Sequence, residues 1–127
     1  DTIVIADPEQ MKKVINNIIS NSVKYMDKSH GEIDIRILDE VDSIRVEIED
    51  NGKGIAQKDL QKIFDRFYRT DASRNSAQGG SGIGLSIVKK IIEDHGGYVW
   101  ATAKEGEGTC MHFVLRKYIE LQPGGTK

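Results

Sequence analysis

From residue 8 onward, Met11, Val14, Ile15, Ile18, Ile19 and Val23 recur at the spacing of one face of a helix, and Asp7-Pro8 supplies a cap followed by a proline at the first helical position. This predicts an amphipathic helix running to about Lys28, preceded by a short strand over Thr2 to Ala6. After the Ser29-His30-Gly31 turn the period changes to two. Ile33, Ile35 and Ile37 alternate with Asp34 and Arg36, and beyond a turn at Asp39 to Asp42, Ile44, Val46 and Ile48 alternate with Arg45, Glu47 and Glu49. The pair reads as a hairpin, and the alternation puts Asp50 on its apolar side. Gln57 to Phe64 predicts a short helix anchored by Ile63, Phe64 and Phe67, whereas Arg69 to Gly80 has almost no apolar residue and reads as a mobile lid. Ile83, Ile87, Val88, Ile91 and Ile92 mark a further amphipathic helix that ends near His95-Gly96-Gly97. Two strands, Tyr98 to Ala103 and Thr109 to Leu115, close the chain around a hairpin-type connection. Strands and three helices in an order that is not strictly βαβ predict an α/β two-layer sandwich with a mixed sheet.

Composition narrows the setting. The 127 residues suffice for one core, expected over residues 1–117 with 118–127 as a flexible tail. A net charge of −2 with dispersed basic residues argues against a nucleic-acid surface. No apolar run approaches the roughly 18 residues of a membrane span. The single cysteine, Cys110, fits a reducing compartment and a buried structural place in a strand. Opening on Asp1 and ending in Gln122-Pro123-Gly124-Gly125, the chain is expected to be a piece of a longer protein.

Three residues change the picture. Asn17, Asn21 and Lys24 stand at i, i+4 and i+7, on one polar, almost uncharged helix face. Such a face can be merely solvated, but Glu and Lys would serve that purpose better, since Asn is a mediocre helix former. Amide oxygens suit a hard cation such as Mg²⁺, and a lysine one turn on suits a phosphate. Asp50 at the apolar end of a strand needs donors of its own. The following Asn51-Gly52-Lys53-Gly54-Ile55 allows close backbone approach. Gly80-Ser81-Gly82-Ile83-Gly84 at a helix start is either a tight turn or a phosphate cradle. Neither the P-loop nor the dinucleotide fingerprint is satisfied, because Leu85 occupies the place of the latter's last glycine.

Taken in order, Asn17-x-x-x-Asn21-Ser22-x-Lys24-Tyr25, Asp50-Asn51-Gly52-Lys53-Gly54-Ile55, Phe64-Asp65-Arg66-Phe67-Tyr68-Arg69 and Gly80-Ser81-Gly82-Ile83-Gly84-Leu85 resemble the N box, first glycine box, F box and second glycine box of the catalytic, ATP-binding domain of bacterial sensor histidine kinases. The resemblance covers residues 3 to 116 and implies the Bergerat (GHKL) fold, a mixed sheet of about five strands covered on one face by three helices. It further implies that Asn21 ligates Mg²⁺, that Asn17, Lys24 and Tyr25 face ATP, and that Asp50 accepts from the adenine amino group. Gly52 and Gly54 would let the chain pass beside the base, Arg69 can reach the γ-phosphate, Gly80, Gly82 and Gly84 would wrap the phosphates, and Ile55, Ser81, Ile83 and Leu85 would be further ATP-binding residues. Asn17, Asn21, Lys24 and Arg69 are thereby the candidate catalytic residues.

The same resemblance implies transfer of the γ-phosphoryl group to a histidine on a separate dimerisation and phosphoacceptor domain, with a response regulator downstream. It implies a cytoplasmic domain, monomeric alone and without membrane contact, in a parent anchored in the cell membrane. His30, His95 and His112 are rejected as acceptors, being read as a turn residue, a helix C-terminal residue favoured by the dipole, and an outward strand residue. The rival readings are a stand-alone ATPase of the same fold, as in gyrase, heat-shock chaperones and MutL, or an anti-sigma serine kinase. Those families put a glutamate where this chain has Asn17, and an amide cannot act as a general base.

Overall fold

The computed structural model describes residues 3–66 and 84–118. Helix α1 spans Pro8–Lys24 and starts as the sequence predicts, with Asp7 Oδ1 accepting from the Glu9 and Gln10 amides at 2.9 and 3.3 Å. It ends one turn earlier than the pattern suggests. Tyr25 caps it with non-helical backbone, and the Tyr25 carbonyl accepts instead from the Lys53 amide at 3.2 Å. That tertiary bond outweighs helix propensity beyond the cap.

Strands β1 (Ile33–Asp39), β2 (Ser43–Asp50), β3 (Tyr98–Lys104) and β4 (Gly108–Arg116) form one sheet in the order β1-β2-β4-β3. Every pairing among them is antiparallel, so the expected mixed sheet of about five strands is corrected for the described residues. The predicted strand at Thr2 to Ala6 contributes a single bridge, Val4 to Lys117, because the chain leaves almost at once for the Asp7 cap. The predicted helix at 57–64 is a 3₁₀ turn over Gln57–Asp59 followed by further turns. Its amides reach back mostly three residues, while Gln57 Nε2 ties the start to the Ala103 carbonyl. Two α-helices are therefore described, α1 and α2 (Gly84–Asp94). The predicted lid, Phe67, Tyr68, Arg69 and the tail from residue 119 lie outside the described residues.

Both helices cover one face of the sheet. Val14 and Ile18 of α1, Val88 and Ile92 of α2, and Ile48 of β2 are fully buried, with Met111 and Phe113 of β4 beneath them. Ile63 and Phe64 complete this core, as their anchoring role predicts. Val23 is 61 % exposed, so the apolar stripe of α1 stops short of it, and Ser22 is buried instead. Ile35 and Ile37 point to the helix side but lie on edge strand β1, beyond the helices' reach, and are exposed. The C-terminus of α2 is a Schellman turn. Gly96 takes φ 80°, its amide bonds Glu93 O, and the Gly97 amide bonds Ile92 O.

Candidate nucleotide site

Gly84, at the start of α2, and the first glycine-rich segment each meet helix α1. A β-carbon on Gly84 would lie 3.1 Å from Asn17 Oδ1, so the start of α2 sits directly on the α1 face that carries Asn17. Asn17 Nδ2 donates to the Lys13 carbonyl at 2.8 Å, which leaves its oxygen facing Gly84. Asn21, one turn on, is half-buried and makes no side-chain hydrogen bond among the described residues. Its amide oxygen is thus available to a hard cation, and the donor set fits Mg²⁺. Lys24 Nζ lies 5.4 Å from the centre of the Tyr25 ring, and Lys53 Nζ lies 5.1 Å from it, so two ammonium groups flank one aromatic.

Asp50 ends β2 on the helix side, where the alternation puts it. Its Oδ1 accepts from the Gly52 amide at 2.9 Å and from the Thr109 amide at 3.3 Å. Oδ2 takes neither bond and can accept from a ligand. Gly52 is buried, and a β-carbon there would lie 2.8 Å from the Tyr25 carbonyl. Gly54 has φ 76°, and a β-carbon there would lie 2.4 Å from Lys104 O. The first glycine box is therefore clamped between the end of α1 and the β3–β4 turn. Ile55 packs against the core nearby, as does Leu85 at the start of α2. Arg69, Gly80, Ser81, Gly82 and Ile83 fall outside the described residues.

Two supporting residues escape the sequence reading. Thr109 donates its amide to Asp50, a contact that only the β2–β4 register reveals. Lys28 Nζ bonds the Gly52 carbonyl at 3.2 Å and the Gly106 carbonyl at 3.0 Å, bracing the glycine box from outside. Its place four residues past α1 gives no signal of that role.

Each of the three histidines has a partner. His30 is exposed and pairs with Glu32 at 3.3 Å. His95 Nδ1 lies 2.8 Å from Ile91 O, while Nε2 accepts from the Asp7 amide at 3.1 Å, so the ring joins the end of α2 to the cap of α1. His112 is corrected from outward to buried. It faces away from the helices, yet Trp100 stacks on it at 4.9 Å and Glu47 and Thr102 bond its two nitrogens.

Comparison with known proteins identifies the family. The family model for histidine kinase-, DNA gyrase B- and HSP90-like ATPases matches residues 6–119. The chain is 40 % identical over 116 residues to the sensor histidine kinase WalK of Bacillus subtilis, covering 91 % of this chain and 19 % of that protein. It is 41 % identical over 113 residues to the sensor protein kinase WalK of Staphylococcus aureus, covering 86 % of this chain and 26 % of that protein. The chain thus spans about a fifth to a quarter of these relatives' length. Among solved structures, a mycobacterial sensor histidine kinase, MprB, superposes with TM-score 0.79 at 29 % identity, covering 90 % of this chain and 76 % of that one. The catalytic domain of histidine kinase ThkA superposes with TM-score 0.75 at 33 % identity, covering 90 % and 70 %. The chain belongs to the histidine kinase-, DNA gyrase B- and HSP90-like ATPase family, as a catalytic ATP-binding domain of the sensor histidine kinase type.

Proposed function

We propose that this domain binds ATP with Mg²⁺ and donates the γ-phosphoryl group to a histidine on a separate dimerisation and phosphoacceptor domain of its parent protein, which then passes it to a response regulator. The observation that carries this reading is Asn17. A stand-alone ATPase needs a base there to activate water, and this position offers an amide whose nitrogen is already given to Lys13 O. The one carboxylate of α1, Glu9, lies two turns earlier. Hydrolysis is consequently slow, and the phosphoryl group is kept for a protein acceptor.

Asp50 Oδ2 reads the adenine amino group while Oδ1 stays on the Gly52 and Thr109 amides. Lys24 supplies positive charge to the phosphates, and Arg69 together with Gly80, Ser81, Gly82 and Ile83 completes the phosphate site. Asn21 would hold Mg²⁺, which when bound neutralises charge on the phosphate oxygens. Asn17 and Asn21 then orient the γ-phosphoryl group, and the acceptor imidazole provides the nucleophile.

The test is incubation with γ-labelled ATP, with and without a dimeric histidine-bearing fragment from candidate parents. Label should pass to the fragment, with phosphate release from the domain alone near background. Rapid steady-state phosphate release by the domain alone, free of contaminating ATPase, would overturn the kinase reading in favour of the hydrolase one.

A further inference from the structure

The sheet face turned away from the helices carries a second cluster, distinct from the residues assigned to the nucleotide. Cys110 and His112 lie two apart on β4 and so share that face, and Glu47 is the β2 partner of His112. One ligand atom from each, Cys110 Sγ, a ring nitrogen of His112 and a carboxylate oxygen of Glu47, all lie within 4.8 Å of one another. We propose that Glu47, Cys110 and His112 form a binding site for a thiophilic divalent cation of the Zn²⁺ class, on the face of the sheet opposite the helices.

The surroundings of the triad are those that hold ligands in place. Glu47 Oε1 is fixed by Arg36 Nε at 3.0 Å, leaving Oε2 directed at His112 Nδ1, also at 3.0 Å. His112 Nε2 lies 2.9 Å from Thr102 Oγ1, so a polar partner on the far nitrogen is ready to set the tautomer of a ligating imidazole. Trp100 stacks on the ring with an interplanar angle of 2°, which fixes its plane. All three ligands are buried or nearly so, yet Cys110 and Thr102 line a cavity of about 350 Å³ that also meets Glu49, Asp50, Thr109 and the β3–β4 turn. That cavity offers both an entry path and room for a fourth, exogenous ligand.

Charge and chemistry select the cation. Glu40, Glu47 and Glu49 surround the guanidinium groups of Arg36 and Arg45. With a Cys110 thiolate the group carries a double negative charge, which one divalent cation cancels. A thiolate, imidazole and carboxylate suit Zn²⁺ and Co²⁺, while Mg²⁺ takes all-oxygen shells, so the nucleotide's metal does not compete. On binding, the Cys110 S–H bond breaks and a metal–sulfur bond forms, with one proton released to solvent. The His112 Nδ1 proton is replaced by one on Nε2, facing Thr102 Oγ1, so the ring stays neutral.

Titrating the 127-residue chain with Co²⁺ tests the site. One equivalent should produce tetrahedral visible bands and a thiolate charge-transfer band, both displaced by Zn²⁺, and Zn²⁺ should raise the thermal midpoint by several degrees. His112→Gln and Glu47→Gln should each weaken Co²⁺ binding at least about tenfold. Thr102→Val, at an exposed position, should weaken it about tenfold through the orientation of His112, and it carries the test if a ligand variant fails to fold. ATP-analogue binding should be unchanged by Zn²⁺. Absence of the thiolate band at one equivalent, a band unaltered in both His112→Gln and Thr102→Val, or a stoichiometry of two chains per cation would overturn the proposal.

Discussion

At the scale of single residues, Asp50 shows how one side chain serves fold and ligand at once. Asp50→Asn can keep its amide oxygen on the Gly52 and Thr109 donors, which places the new NH₂ group where Oδ2 was. The fold should therefore persist, while ATP affinity falls by about 1.5–3 kcal/mol, a donor now meeting the adenine amino group. Calorimetric titration with a non-hydrolysable analogue measures this, and unchanged affinity would remove Asp50 from base reading. Cys110 gives a second prediction. Burial pushes its thiol up from an ordinary value of 9.0 to about 11, helped by the nearby Glu47 and Glu49 charges. Because the folded value is raised, the associated stability is whole below pH 9.0 and is lost as pH climbs through about 11. Cys110→Ala should lose less stability than the parent between those limits in alkaline urea melts, and native Cys110 should alkylate slowly at neutral pH. Asp50 was legible because Ile44, Val46 and Ile48 set the strand's phase. The burial of His112 was not, since it depends on Trp100 and Glu47 arriving from two other strands.

At the scale of elements, ends were written more clearly than lengths. Asp7-Pro8 and His95-Gly96-Gly97 carry local chemistry for a cap and a Schellman turn, and both form as read. The stop of α1 at Lys24 was hidden, because it is enforced by the Lys53 amide from a distant segment. The α2 terminus allows two glycine effects to be separated. Gly96 has φ 80° and open space around it, so Gly96→Ala should cost about 1–2 kcal/mol from backbone conformation alone. At Gly97 a β-carbon would fall 1.8 Å from the Val114 carbonyl, and the backbone of β4 would have to move. Gly97→Ala should cost about 3 kcal/mol or more, read from chemical denaturation of both variants side by side. Equal losses would mean that the close approach of α2 to β4 is not a constraint.

For the molecule as a whole, the sheet is a wall with two faces. Helices α1 and α2 cover one and bring Asn17 beneath Gly84, while the other carries the Glu47, Cys110 and His112 cluster. Alternation identified β1 and β2 with the apolar side of each, and β-rich composition marked β3 and β4, but strand order is a long-range property. The β2–β4 pairing, which unites Asp50 with Thr109 and Glu47 with His112, has no local sequence signal. The direction of chemistry then turns on what stands under the start of α2. Asn17→Glu would put a carboxylate where Asn17 Oδ1 now lies 3.1 Å from the β-carbon position of Gly84. That charge would meet the favourable end of the α2 dipole, so the fold should survive, but it would also compete with ATP phosphates for the same field. The expected outcome is ATP binding weaker by about tenfold, one to two kcal/mol, with hydrolysis raised only modestly, because a base alone does not position water. Phosphotransfer to an acceptor fragment should fall in parallel with affinity. If the variant instead hydrolyses ATP rapidly at undiminished affinity, this one side chain separates kinase from ATPase and the rest of the site is neutral between them.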